Sequence, residues 1–132
     1  MMKGLRKNIE QETNENEDFR RVLYTGKHMQ LVLMSLPAGE EIGLETHPDN
    51  DQFFRFESGE GKVIIDETEY IVGEGIAVVI PAGAKHNVIN TGTAELRMYT
   101  IYATPHHKDG IVRATKAEAV AHEEDFDGKT TE

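Results

Sequence analysis

The 132-residue chain contains no cysteine. Disulfide bonds, zinc sites built from thiolates and thiol nucleophiles are therefore excluded, and histidine, carboxylate and amide groups are the side chains left to bind a metal ion. The absence of cysteine also fits a reducing compartment.

The sequence also lacks a long apolar run and an N-terminus of the signal-peptide type. Residues 1–17 are polar and charged, and no stretch approaches the roughly 20 apolar residues that a membrane-spanning helix needs. We therefore expect a soluble, cytoplasmic protein with no membrane partner.

Basic residues are scarce. The chain has 14 Lys and Arg against 24 Asp and Glu, which gives a formal net charge of -10. Because such a surface repels phosphate backbones, we expect no nucleic-acid partner. The acidic residues concentrate in residues 10–18 and 123–127, and we interpret both runs as solvated tails rather than binding surfaces.

Short apolar and β-branched runs, separated by turn signals, occupy most of the chain. Such runs are typical of β strands, and no helical periodicity interrupts them before about residue 100. The predicted strands cover residues 19–24, 29–36, 42–46, 52–56, 62–66, 69–72, 76–80, 85–90 and 96–103. So many short strands in a chain of single-domain size predict an all-β fold, an antiparallel barrel or jelly roll.

The pattern divides this single domain into three parts. Residues 1–28 form an N-terminal arm, 29–104 the barrel, and 105–132 a C-terminal tail with a short helix at 116–123 that packs outside the barrel. The strand at 19–24 lies outside the central pattern and is suited to pairing with the sheet edge of a second copy, so we expect a homodimer with an exchanged strand.

The barrel is predicted to be closed by apolar side chains that limit the access of water to its interior. The expected members are Ile42, Phe54, Ile64, Val78, Val88, Met98 and Tyr99.

Candidate metal ligands occur in two separate segments. Glu45 and His47 are two residues apart, so on an extended chain both side chains leave the same face, as two ligands of one ion must. His86 follows a turn at Pro81 and Gly83 and begins another strand. The structural alternative is that His47 begins a turn and that His86 is a hydrogen-bonded core histidine.

The second segment resembles the second motif of the cupin superfamily, G-x5-P-x-G-x2-H-x3-N. Every position is matched, by Gly75, Pro81, Gly83, His86 and Asn90. The first cupin motif, G-x5-H-x-H followed after three or four residues by E-x6-G, is matched in spacing.

In that first motif Gly39, His47 and Gly59 stand at family positions, and Glu45 replaces the first histidine. The third ligand is either Asp51 or Gln52. Counting back from Gly59 places Gln52 at the family's glutamate, and we prefer Gln52 because the paired strand sets the register. Asp51 remains the alternative.

The resemblance covers residues 29–103 and is closest to small single-domain bacterial cupins of the mannose-6-phosphate isomerase-like type. It implies a jelly-roll barrel, also called a double-stranded β-helix, in which Glu45, His47, Gln52 and His86 bind a divalent metal ion such as Mn, Fe, Ni or Zn. It also implies an isomerase or oxygenase that acts on a small carbonyl or sugar-like substrate. The alternatives are a non-catalytic cupin that binds a sugar or metabolite as sensor or carrier, and a structural dimer with a vestigial pocket.

Two further expectations concern side chains near this site. A buried Glu45 needs either a metal ion or a basic partner such as Arg55 or Lys85. His106 and His107 are adjacent, and on an extended chain at most one of them faces the pocket.

Overall fold

The structure, a computed structural model, describes residues 1–132. Strands dominate and the two helices are short, as the sequence pattern predicts. In chain order the elements are α1 (Ile9–Glu15), β1 (Arg20–Thr25), β2 (Gln30–Leu36), β3 (Glu45–Thr46), β4 (Asp51–Ser58), β5 (Glu60–Ile65), β6 (Thr68–Gly73), β7 (Ala77–Ile80), β8 (Lys85–Asn90), β9 (Leu96–Ala103), β10 (Val112–Arg113) and α2 (Lys116–Ala121).

The strands form two antiparallel sheets. One has six strands in the order β10-β1-β2-β9-β4-β7, and the other has four in the order β3-β8-β5-β6. A cluster of 18 buried hydrophobic residues joins the elements into one core. The predicted all-β jelly roll with a short C-terminal helix is therefore confirmed. Neither helix has the length and apolar character that crossing a membrane would require.

The predicted strands are all present, and β8 and β9 have the predicted bounds. The largest difference is at β3, which was expected to cover residues 42–46 and is reduced to Glu45–Thr46. Gly43, with φ at 112°, breaks the extended chain just before it. The site therefore begins in a very short strand that follows a loop.

The turn between β4 and β5, where the chain passes from one sheet to the other, explains the glycine that closes the first motif. Gly59 has φ at 89°, and a Cβ atom there would lie 2.4 Å from the carbonyl oxygen of Glu95. A side chain is excluded both by the backbone conformation and by this contact. The register of β4, on which Gln52 lies, is set by its pairing with β7 and β9.

Helix α1 was not predicted, and part of the acidic run at 10–18 is not a solvated tail. The side chain of Asn8 caps the helix by accepting a hydrogen bond from the backbone N–H of Gln11 at 3.0 Å. Asparagine is a strong N-cap residue, and Glu10 and Glu12 lie in the first turn, where the helix dipole favours negative charge. Thr13 is fully buried, so the helix packs against the barrel.

Strand β1 is paired on both sides within its own chain. Arg20 lies opposite Met34 of β2 on one side and opposite Arg113 of β10 on the other. The two-residue strand β10 was missed because so short a segment has no periodicity. The exchange of this strand in a homodimer stays a prediction.

The predicted interior is right in four positions. Phe54, Val78, Val88 and Met98 are buried, and Ile42 packs partly buried against the core.

Ile64 and Tyr99 were placed on the wrong face. Val63 pairs with Val88 and is fully buried, so alternation turns the next residue, Ile64, outward. Tyr99 likewise lies on the outer face, where its ring centroid is 6.3 Å from that of Phe53.

The C-terminal tail is packed against the barrel. Ile111 and Ala119 are members of the core cluster. Further along, the backbone N–H of Phe126 donates to the carbonyl of His106 at 3.0 Å, and that of Thr131 donates to Thr25 at 2.9 Å. The tail therefore crosses one end of the barrel and is hydrogen-bonded to it at two points, His106 and Thr25.

Candidate metal centre

Two neighbouring strands bring the first three candidate ligands together. Glu45 of β3 lies directly opposite His86 of β8 in an antiparallel pair, so both side chains leave the same face. His47 follows β3 immediately. One ligand atom from each of Glu45, His47 and His86 lies within 4.8 Å of the other two.

The distances within this cluster identify an unsatisfied atom. Glu45 Oε2 lies 3.0 Å from His47 Nε2 and 3.9 Å from His86 Nε2. The other ring nitrogen of His86, Nδ1, donates to the carbonyl of Ala84 at 3.0 Å. His86 Nε2 is buried and has no hydrogen-bond partner. A histidine fixed through one nitrogen by a backbone carbonyl, with the other nitrogen free, is oriented as metal ligands are in proteins.

The charges in the cluster also fit a cation. Burial alone would raise the pKa of Glu45, but the hydrogen bond and charge of His47, with the charges of Arg20 and His86, outweigh it and lower the pKa overall. Burial lowers the pKa of His86. At neutral pH Glu45 is therefore a carboxylate and His86 a neutral imidazole, the forms that coordinate metal ions.

The prediction that Arg55 or Lys85 is the basic partner of Glu45 was wrong. Arg55 points away and binds Glu57 Oε1 through Nε at 2.8 Å, and Lys85 is exposed. In the folded barrel His47 is the partner of Glu45, with Nε2 at 3.0 Å from Oε2, and the charge of Arg20 lowers the pKa of Glu45 without a direct ion pair.

Gln52 and Asp51 have opposite environments. Gln52 is 2% exposed, and its Nε2 donates to Thr100 Oγ1 at 3.0 Å, whereas its Oε1 is buried without a partner. Asp51 is exposed, and its Oδ1 accepts a hydrogen bond from the backbone N–H of Ala82 at 2.9 Å. Gln52 lies opposite Tyr102, whose ring centroid is 5.7 Å from that of His47. These contacts favour Gln52 over Asp51, and its role as a ligand stays a prediction.

We expect a Gln52→Ala variant to bind divalent metal about tenfold more weakly than the wild type, because it loses the free amide oxygen. Asp51→Ala, which loses only a surface contact to Ala82, is the matched control and should bind metal as the wild type does. Calorimetric titration of both variants with Mn²⁺ and Zn²⁺ measures the difference. A larger loss in Asp51→Ala would show that the register assigned to the third ligand is wrong.

A group of ring side chains beside the cluster was not assigned from the sequence. The ring centroid of His106 is 4.4 Å from that of His47 and 5.1 Å from that of Tyr102. His107 is close to the same group, with its ring centroid 4.7 Å from that of His106. The only sequence signal was the His-His pair itself, which is separated from the motifs.

The prediction that adjacent histidines point in opposite directions was wrong, because this segment is not a strand. The backbone N–H groups of His106 and His107 both donate to Gln30 Oε1, at 3.2 and 2.9 Å. Two consecutive N–H groups that converge on one acceptor bend the chain and bring both rings to the same side. Gln30 itself is fully buried.

His107 is the most strongly perturbed base in this group. It is 5% exposed, and its Nε2 lies 3.2 Å from the hydroxyl of Tyr102. Burial, with the charges of Arg20, His106 and His47, lowers the pKa of His107 to about 2. His107 is therefore neutral at all ordinary pH values.

An open pocket of about 490 Å³ leads to Glu45. His106 and His107 line it on one side, together with Arg20 and Ile42. The opposite rim comes from the C-terminal tail, whose lining residues are Lys116, Ala119, Val120, Glu123, Glu124 and Asp125. The acidic run at 123–127 was interpreted as a solvated tail, yet its first residues form part of the pocket.

The motifs, the two sheets and this site agree with a comparison to protein families. The family model described as a cupin domain matches residues 32–102, more than half of the chain. The chain belongs to the cupin family. This cupin is also 50% identical over 123 residues to the protein YrkC of Bacillus subtilis (strain 168), a match that covers 89% of the chain and 66% of YrkC.

Two further relatives extend the comparison. The protein L612 of Acanthamoeba polyphaga mimivirus is 42% identical over 109 residues, which covers 80% of this cupin and 68% of L612. The crystal structure of BH2720 from Bacillus halodurans superposes with a TM-score of 0.89 at 47% identity, over 91% of this cupin and 96% of BH2720. The chain spans about two thirds of the length of YrkC and L612.

Proposed function

We propose that this cupin binds one divalent metal ion through Glu45, His47 and His86, with Gln52 as the fourth ligand, and acts on a small carbonyl or sugar-like molecule. The buried, unpartnered Nε2 of His86, 3.9 Å from Glu45 Oε2, carries the proposal. A buried nitrogen without a partner is costly unless something binds it. An ion in this cluster would satisfy that nitrogen.

The donor set limits which ions fit. Two imidazoles, one carboxylate and one amide oxygen are borderline and hard ligands, which suits Mn, Fe, Ni or Zn in the divalent state. When bound, such an ion supplies Lewis-acid polarisation of a substrate oxygen and, if it is redox-active, electron transfer.

The surrounding residues orient the ligands and shape the space for a substrate. The carbonyl of Ala84 fixes the ring of His86, and the ring of His106 packs against that of His47. The hydroxyl of Tyr102 keeps its proton because burial raises its pKa. Together with the tail at the pocket rim, these groups leave a substrate an approach from the side of Glu45.

The reaction is an isomerisation or an oxygenation in this proposal, and the mannose-6-phosphate isomerase-like resemblance supports the first. We further propose that the protein is cytoplasmic and homodimeric and has no nucleic-acid or membrane partner. The absence of cysteine supports the cytoplasmic location, and the net charge of -10 supports the absence of a nucleic-acid partner.

A second candidate function is ligand binding without turnover, as a sensor or carrier. One observation favours it. Glu45 Oε2 and His47 Nε2 lie 3.0 Å apart and satisfy each other without an ion. A pocket stable in that form can hold a metabolite without metal chemistry.

Elemental analysis of protein purified without added metal, and again after reconstitution, tests the leading proposal. We expect about one divalent ion per chain. Oxygen consumption and aldose–ketose interconversion then separate the two reactions. No detectable activity in either assay, together with a ligand-induced shift of the unfolding temperature, would favour the binding function. A protein that takes up no metal after reconstitution would contradict the leading proposal.

A further inference from the structure

Arg20 is a partly buried arginine with no acceptor. It is the first residue of β1 and lies opposite the buried Met34, so its side chain points into the barrel end. Its Nε is buried without a hydrogen-bond partner, and the guanidinium forms no ion pair; its only directional contact is with the ring of Phe19, 5.3 Å from the ring centroid. A buried N–H donor without an acceptor is costly, and the other donors of the guanidinium are free to bind an acceptor in the pocket.

Each of the other arginines of the barrel has at least one acceptor, although the Nε of Arg113 is also buried without a partner. Arg21 pairs with Asp18 at 2.9 Å, Arg55 with Glu57 at 2.8 Å and Arg113 with Glu124 at 3.1 Å. Arg97 donates through Nε to the carbonyl of Asn16 at 3.2 Å. Arg20 is therefore an exception in this fold, and its acceptor must come from outside the chain or from water.

The position of Arg20 is beside the metal cluster. It lines the pocket that contains Glu45, His106 and His107, and its charge acts on the pKa of Glu45. Lys116, at the start of α2, lines the same pocket and has no ion pair or hydrogen bond. Two cations thus face the space above the cluster.

The acidic residues of the pocket do not neutralise these cations. Glu124 is held by Arg113. Glu123 and Asp125 are exposed at the rim, where solvent screens them. Glu45 forms no ion pair with Arg20, and a metal ion on its carboxylate would take up its charge.

We propose that Arg20, assisted by Lys116, binds the anionic group of the molecule that this pocket takes. The planar guanidinium matches a carboxylate or a phosphate through two parallel hydrogen bonds. The substrate class is then a small hydroxy- or oxo-carboxylate, or a phosphate ester, and not a neutral sugar. The inference deepens the proposed function and rests on it for the metal-binding end of the substrate. The anion-binding end depends on Arg20 and Lys116 and does not require the metal ion.

The test compares Arg20→Gln with Arg21→Gln, its neighbour on the exposed face of the same strand. Calorimetric titrations use glycolate, inorganic phosphate and the uncharged glycolaldehyde, on metal-loaded and on metal-free protein. We expect the wild type and Arg21→Gln to bind one of the two anions, and glycolaldehyde more weakly. Arg20→Gln should bind that anion about 10- to 100-fold more weakly, and Arg20→Lys should lie between. The stronger anion shows whether a carboxylate or a phosphate is the natural group.

Metal content is measured on every variant, so that this inference and the proposed function fail separately. A protein without metal whose phosphate binding still depends on Arg20 would refute the metal site and support the anion site. Equal anion affinities in Arg20→Gln and Arg21→Gln, in both metal states, would overturn the inference. So would a wild type that prefers glycolaldehyde to both anions.

Discussion

From the proposed metal site, we expect the replacement of His86 with alanine to abolish the stabilisation of the folded protein by divalent metal ions. A ligand that binds only the folded state stabilises it by about 2.7 kcal/mol when its concentration is 100 times the dissociation constant. Loss of a ligand that is buried, oriented by Ala84 and otherwise unpartnered should weaken metal binding by about 100-fold or more, beyond the effect of an outer-shell change. Thermal unfolding with increasing Mn²⁺, Ni²⁺ or Zn²⁺ measures the effect.

Two controls make this result specific. His28→Ala changes an exposed histidine that is not a member of the ligand cluster and should keep the full metal-induced shift. Circular dichroism of His86→Ala without metal tests whether the barrel still folds, because the variant also loses the hydrogen bond to Ala84. A folded His86→Ala protein with the wild-type shift would contradict the assignment of His86 as a ligand.

Acid is expected to destabilise the fold well before its carboxylates are protonated. The pKa of His107 is about 2 in the folded state against an ordinary value of 6.5. Between these two pH values His107 is protonated in the unfolded chain and neutral in the folded chain. The contribution of His107 to the free energy of unfolding is therefore fully present above pH 6.5 and falls as the pH is lowered below that value. The contribution of this one residue is about 1.4 kcal/mol for each pH unit below 6.5.

Other titratable groups change the stability of the fold in overlapping pH ranges. Burial also lowers the pKa values of His86 and His106, which adds to the loss below pH 6.5. The pKa of Glu45 lies below its ordinary 4.5, so its contribution is present above that value and is lost only in stronger acid. The wild-type slope therefore exceeds that of His107 alone.

A comparison of two variants isolates His107. Chemical denaturation of His107→Gln from pH 7 to pH 4 should show a shallower loss of unfolding free energy than the wild type, although the variant is less stable at pH 7. His28→Gln, at an exposed position, should follow the wild-type curve. If His107→Gln and the wild type lose stability in parallel, burial of His107 as a neutral base is not the cause of the acid sensitivity.

The strands and the metal motifs could be predicted from the sequence because both are local patterns. Alternation and turn residues define β8 and β9, and the spacing from Gly75 to Asn90 sets His86 at the start of its strand. Glu45 and His47 lie two residues apart, so their shared direction needs no knowledge of the rest of the chain. Helix α1 also had a local signal, the cap at Asn8, which the surrounding acidic run obscured.

The surroundings of the site could not be predicted in the same way. Arg20, His106 and the tail helix α2 approach Glu45 only because β1, β2 and β9 pair in one sheet and because the tail crosses the barrel end. The direction of the His106 and His107 rings depends on Gln30, a residue on another strand. Nothing in the local sequence of these residues records such contacts.

The sequence by itself determined a cupin barrel, the positions of His47 and His86, and the replacement of a family histidine by Glu45. Only the tertiary structure decided that Glu45 is held by His47 near Arg20, that Gln52 has the free amide oxygen and that the tail lines the pocket. Spacing along the chain encodes the direction of neighbouring side chains. Contacts between distant segments depend on which strands pair and how the loops return, and those are properties of the whole fold.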